Sequence, residues 1–285
     1  MSRSMDGKVC VVTGATAGIG LVTARELARQ GARVLGVGRS PERCAEAARQ
    51  IRQEVGTGEI DYLIADLSSQ ADIRRLAGEI KDKTARLDVL INNAGGIFLQ
   101  RLETVDGHEM TFALNHLAYF LLTNLLLGLL KASAPARIVS VASAAHKGGQ
   151  INFDDPDGKQ KYGGWRAYQQ SKLANILFTR ELARRLEGTG LTANCLHPGY
   201  VKTRIFRAGG VAGWLLRRSA DLFAIAPERG AETSIYLATS PDVAGRSGLY
   251  FVRRKPVTPS REARDDALAR GLWQLSADLT GLATS

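Results

Sequence analysis

The sequence predicts an α/β fold: one doubly wound parallel sheet in a single domain spanning residues 1–285. Three observations predict it. A short β-branched run, Lys8-Val9-Cys10-Val11-Val12, is followed at once by a glycine-rich stretch and then by apolar residues at helical spacing. Strand-like runs continue to alternate with helical runs to about residue 251, as parallel strands joined by crossover helices must. The 285 residues, 45% of them hydrophobic, suffice to enclose one such sheet, and no long linker or internal repeat divides them.

The first strand, within residues 8–12, is apolar on both faces, as a buried parallel strand is. After it comes Thr13-Gly14-Ala15-Thr16-Ala17-Gly18-Ile19-Gly20. Gly14, Gly18 and Gly20 let the backbone turn tightly and approach a pyrophosphate, which the free N–H groups and dipole of a helix N-terminus attract. Ile19, Val22, Leu27 and Ala28 carry the helical period, Gly31 closes the helix, and residues 32–37 form the second strand. The unit reads as half of a dinucleotide-binding βαβ motif, with glycine spacing Gly-x-x-x-Gly-x-Gly. No acidic side chain follows the second strand to bind two ribose hydroxyls. Arg39 stands there instead, and its planar guanidinium suits a 2′-phosphate, so the expected cofactor is NADP(H) in preference to NAD(H).

A third strand leads to Ala65-Asp66-Leu67, and a fourth, over residues 87–91, to Asn92-Asn93-Ala94-Gly95. The helical stretch 111–130 carries Asn115. A further strand-like run ends at Ser143, with Ser140 placed on the opposite face by alternation. An extended loop from Ala144 to Trp165 precedes Tyr168-Gln169-Gln170-Ser171-Lys172. A free phenol has a pKa of about 10, so a tyrosine acting as acid or base near neutrality needs its anion stabilised, and a cation at i+4 is placed to do so. By itself this spacing also recurs on solvated helix faces.

Together these segments resemble the short-chain dehydrogenase/reductase family along nearly the whole chain. The resemblance implies a Rossmann fold and an oxidoreductase with Tyr168, Lys172, Ser143 and Asn115 as its catalytic tetrad. In that reading Tyr168 exchanges a proton with the substrate oxygen and Lys172 lowers the tyrosine pKa and binds the nicotinamide ribose. Ser143 donates to the substrate oxygen, and Asn115 holds a water linking Lys172 to solvent. The cofactor would touch Gly14, Thr16, Gly18, Ile19, Gly20, Arg39, Asp66, Leu67, Asn93, Ala94 and Gly95, besides Tyr168 and Lys172. Asp66, by the same resemblance, would accept from the adenine amino group; its position also suits a helix N-cap region. Pro198, Gly199, Val201 and Thr203 would close on the nicotinamide side. A substrate lid is expected over residues 200–226, rich in apolar side chains such as Phe206, Trp214 and Phe223, and a C-terminal extension over residues 253–285. Within the family, Asn115-His116-Leu117, Ser171-Lys172-Leu173-Ala174-Asn175 and Leu279-Thr280-Gly281 are similar to the retinol dehydrogenase and WW-domain oxidoreductase branch. That likeness implies a bulky lipophilic carbonyl or alcohol, whether retinoid, steroid, polycyclic ketone or lipid aldehyde, and a homodimer or homotetramer packed through the helices of Asn115 and Tyr168. A second reading is a non-catalytic NADP(H)-binding sensor or scaffold of the same fold, which would need the glycine turn but not the tetrad.

The net charge of +10 comes from 38 basic and 28 acidic residues. These interleave on amphipathic faces such as 180–187, without a basic stripe interleaved with aromatics, so nucleic acid is not an expected partner. Trp214-Leu215-Leu216-Arg217-Arg218 allows at most peripheral membrane contact, and no run long enough to cross a bilayer is expected. Cys10, Cys44 and Cys195 read as buried thiols of a cytoplasmic protein, and the four histidines lack metal-ligand spacing, so no metal is expected.

Overall fold

A computed structural model describes residues 4–56, 59–199, 206–207 and 226–283. Its centre is an eight-stranded sheet: β1 (Val9–Thr13), β2 (Arg33–Gly38), β3 (Ile60–Ile64), β4 (Val89–Asn92), β6 (Ala136–Val141), β7 (Leu191–His197), β9 (Tyr250–Val252) and β10 (Lys255–Pro256). Their order is β10-β9-β7-β6-β4-β1-β2-β3. All pairs are parallel except the terminal β9–β10 hairpin. The chain winds outward from β1 to β2 and β3, then returns to add β4 on the other edge of β1, so the order reverses between β1 and β4. A crevice opens at such a reversal beyond the carboxyl ends of the strands, and it receives the ligand in sheets of this kind.

Strand alternation divides the core in two. Val11, Leu35 and Leu90 face α3 (Gln70–Lys83), α5 (Ala118–Ala132) and α6 (Gly164–Arg185), whereas Cys10, Val12, Val34 and Ile91 face α1 (Gly18–Arg29) and α7 (Pro227–Thr239). The amphipathic helix α2 (Pro41–Val55) contributes Ile51 to this second layer. The helical run Met110–Ala132 is long and apolar enough to cross a membrane, contrary to the expectation that no such run exists, yet most of it is buried here. Its apolar character comes from being packed on both sides, by the sheet and by neighbouring helices.

The C-terminal extension is part of the core. Helix α8 (Asp266–Thr280) begins at Asp265, whose carboxylate accepts from the N–H groups of Ala267 and Leu268, and ends at Gly281 in the left-handed conformation. Trp273 enters an aromatic cluster with Phe120 and Phe178 at ring separations of 4.9 and 5.9 Å. Thus α8 of the same chain covers α5 and α6, the helices through which subunits were expected to meet.

The long loop 149–163 is fastened as well. Asp157 accepts from the Glu109 N–H at 2.8 Å, and the Tyr162 hydroxyl reaches Phe98 O at 2.6 Å and Glu109 Oε1 at 3.1 Å. Buried Glu109 caps α4 (Met110–Phe112) through the N–H groups of Thr111 and Phe112. The expected lid lies outside the described residues, as do Val201 and Thr203, except that strand β8 (Phe206–Arg207) pairs parallel with β5 (Ile97–Phe98).

Candidate active site

The glycine turn follows from close packing between β1 and the segment after β4. Gly14 has φ +66°, and a side chain there would meet the Ala94 backbone at 2.9 Å. A Cβ on Gly20 would stand 2.3 Å from Gly14 O and 2.5 Å from Asn93 Nδ2. Asn93 holds this contact by donating to Thr13 O at 2.7 Å, while Thr13 Oγ1 accepts from the N–H groups of Asn93 and Ala94 at 2.8 and 3.0 Å. The helix that follows has no capping side chain at Ala17 and no acidic residue in its first turn. Its N-terminal N–H groups, with Gly18 and Ile19 among them, are therefore open to an anion, and the narrow cradle fits the pyrophosphate of a dinucleotide.

Beside the turn, a side chain on Gly38 would strike Thr16 Cγ2 at 2.5 Å, so Thr16 packs directly against the end of β2. Arg39 is exposed there and has no partner among the described residues. A guanidinium not committed within the protein can bind a 2′-phosphate, and the residues present fit NADP(H). Asp66 is exposed, and its Oδ1 accepts from Ser68 N–H and Oγ at 2.9 and 2.7 Å. It closes the turn before Ser69, which is the N-cap of α3. The Leu67 side chain belongs to the core, leaving its backbone to meet a cofactor.

Tyr168 and Lys172 lie on α6, both largely buried, with Lys172 Nζ 5.6 Å from the Tyr168 ring centroid. Lys172 donates to Val141 O at 3.0 Å, the last residue of β6, so the lysine is tied to the strand that leads to Ser143. Burial pulls its pKa down to about 7. Ser143 is not on the strand, as expected from sequence, but two residues beyond it, where it caps the 3-10 turn Ala144–Gly148 through a bond from the Ala145 N–H. Ser140 remains on β6 and is buried.

Asn115 sits inside a π-helical segment, Ala113–Leu117, that interrupts the predicted continuous helix. The extra residue in that turn aims the amide sideways. Asn115 Oδ1 accepts from Gly96 N–H at 2.8 Å, and Nδ2 donates to Gly96 O and Ser171 Oγ, each at 3.0 Å. Ser171 in turn donates to Tyr168 O at 2.8 Å. Gly95 keeps the space between Asn115 and Lys172 open: a Cβ on it would lie 2.9 Å from Asn115 Oδ1 and 3.8 Å from Lys172 Nζ. Lys172 thus lies near both the Tyr168 ring and, across the Gly95 gap, Asn115, while Ser143 follows β6 and Pro198 and Gly199 follow β7.

Three contributors carry no sequence motif of their own. Ser171 bridges Asn115 to the backbone of Tyr168, and Tyr119 donates to Ala94 O at 2.8 Å, pinning the cofactor-side segment. Trp165, three residues before Tyr168 and therefore on the same helix face, has its ring 5.5 Å from the tyrosine ring and is 48% exposed. Only its helical spacing could have signalled it. No cluster of three or more histidine, cysteine or acidic side chains that could hold a metal occurs among the described residues.

The short chain dehydrogenase family matches residues 8–210. Mouse retinol dehydrogenase 14 is 48% identical over 98% of this chain and 87% of its own length. Human retinol dehydrogenase 13 is 45% identical, covering 98% and 86% respectively. Among solved structures, a protein from Mycobacterium Paratuberculosis superposes with TM-score 0.80 at 36% identity, covering 100% of this chain and 99% of its own. The Pseudomonas aeruginosa RhlG/NADP active-site complex gives a TM-score of 0.68 at 30% identity, covering 94% and 98%.

Proposed function

The chain belongs to the short chain dehydrogenase family, and from that premise we propose that it is an NADP(H)-dependent oxidoreductase acting on the carbonyl or alcohol of a bulky lipophilic substrate. The observation that carries this reading is the approach of Lys172 to the Tyr168 ring and to the Gly95 gap bordered by Asn115, tied to the end of β6 just before Ser143 and alongside an uncapped glycine turn.

When bound, the nicotinamide supplies or accepts the hydride. Tyr168 gives its proton to the substrate oxygen in reduction and takes it back in oxidation. Lys172, when cationic, stabilises the tyrosinate that this leaves, and Asn115 lies across the Gly95 gap where a water would reach Lys172. Ser143 donates to the substrate oxygen. Pro198 and Gly199, just past β7, would close the nicotinamide side.

Arg39, without a partner among the described residues and unopposed by an acidic neighbour on β2, supports NADP(H), as does the likeness to an NADP complex. The retinol dehydrogenase names of its relatives and the half-exposed Trp165 beside Tyr168 support a large apolar substrate. Three buried free cysteines support a cytoplasmic protein. A homo-oligomer would dock through a surface other than the α8-covered face of α5 and α6.

Purified protein mixed with NADPH and a panel of hydrophobic aldehydes and ketones should consume NADPH. Binding of NADPH without consumption on any member would favour the sensor or scaffold reading.

A further inference from the structure

We propose that His146 is a positioning residue that holds Ser143 in place by coupling it to the C-terminal segment of the chain. The proposal rests on the reading of Ser143 as the hydroxyl that binds the substrate oxygen.

Ser143 stands where the backbone has left β6 and turned, so sheet hydrogen bonding no longer fixes it. Its carbonyl accepts twice from His146, from the backbone N–H at 3.2 Å and from ring Nδ1 at 2.7 Å. A carbonyl can only accept, so Nδ1 carries the ring hydrogen. On the far side of the ring, Nε2 lies 3.2 Å from the Ser260 N–H, which can only donate, so Nε2 must present its lone pair. Together the two partners prescribe a single neutral tautomer. The residue is 1% exposed, and the Tyr250 ring packs edge-on against the imidazole at 5.0 Å, fixing its plane. Burial also holds the imidazole pKa below its ordinary value, which favours the neutral form.

Ser260 connects onward. Its Oγ accepts from Ala263 N–H at 3.4 Å, at the opening of the 3-10 turn Glu262–Arg264, and α8 begins two residues later. A line of contacts therefore runs from the helix that closes the core to the serine at the substrate oxygen. Imidazole suits this role because its two nitrogens face opposite ways at fixed separation. Asparagine can place an amide N–H where Nδ1 sits and glutamine an oxygen where Nε2 sits, but neither can do both. Partners that orient an active-site group in this manner act on turnover through geometry, not on cofactor affinity.

The test is steady-state kinetics of His146→Ala, His146→Asn, His146→Gln and Ser260→Pro, with NADPH affinity and thermal unfolding measured on the same samples. His146→Ala should lose about 10–100-fold in kcat while the Kd for NADPH changes by less than about twofold. His146→Asn should recover most of that loss because it restores the donor to Ser143 O. His146→Gln should recover little, and Ser260→Pro, which removes the donating N–H, should lower kcat without touching the ring. Unchanged kcat in His146→Ala would overturn the proposal, as would equal recovery by asparagine and glutamine, the mark of a role in packing alone. Nitrogen NMR of the wild-type imidazole separates the two layers: turnover with hydrogen on Nε2 overturns the coupling, whereas absent turnover with hydrogen on Nδ1 removes the functional reading beneath it.

Discussion

Lys172 brings its ammonium into a site where the residue is 3% exposed, and burial pulls its pKa down to about 7. Below that value the folded and unfolded chains both hold the proton, and the cost of burying the cation is complete. Between there and the ordinary lysine value of about 10.4 the unfolded chain binds more protons, so stability rises with pH. Lys172→Met should therefore raise the melting temperature of the ligand-free protein most at about pH 6 and least at about pH 10. Val141 O stays satisfied in the variant, because Asn175 Nδ2 also donates to it at 3.3 Å. A gap between the two melting curves that widens toward alkaline pH would contradict the assignment. At the other end of the site, Arg39→Leu should raise the KM for NADPH by about 10–100-fold while leaving that for NADH nearly unchanged, since the bidentate contact proposed for the 2′-phosphate would be lost. Equal effects on both cofactors would remove the 2′-phosphate from Arg39.

At the scale of elements, the glycine turn and the π segment do opposite things with backbone. The turn removes side chains so that β1, α1 and the segment after β4 can touch; the π segment adds a residue so that one side chain can turn inward. A methyl group on Gly20 would overlap Gly14 O, a backbone atom that cannot swing aside. Gly20→Ala should accordingly cost about 1–3 kcal/mol in stability and abolish NADPH binding at concentrations that saturate the wild type. Chemical denaturation with cofactor titration checks both, and retained binding would show that the cradle is looser than these contacts require.

For the whole molecule, α8 closes the core over α5 and α6. Trp273→Ala removes a 7% exposed indole from the Phe120–Phe178 cluster and should destabilise by about 3–5 kcal/mol, read from a denaturant midpoint. A loss below about 1 kcal/mol would mean that α8 is an appendage. Much of this architecture was legible in the sequence because its signals are local. Apolar runs with a 2 or 3.6 residue period placed the elements near β1, α1 and β2, and Tyr168 and Lys172 four residues apart could share a helix face wherever that helix packed. What escaped depends on distant partners. The residues of the π segment look helical, and the bulge shows itself only when Asn115 finds Gly96 and Ser171. Ser143 reads as strand because Ser140 to Ala142 do, and its departure is set by His146 and Ser260, which lies 114 residues beyond that histidine. The apolar run Met110–Ala132 carries no sign of whether lipid or protein surrounds it until the sheet and helices are in place.

For Tyr168 as the acid/base group of an NADPH-linked reaction, the decisive quantity is the rate of NADPH consumption by wild type and Tyr168→Phe with a bulky hydrophobic aldehyde or ketone. The wild type should turn over and the variant should be slower by at least about 100-fold, with NADPH still bound. Undiminished turnover in Tyr168→Phe would contradict that role.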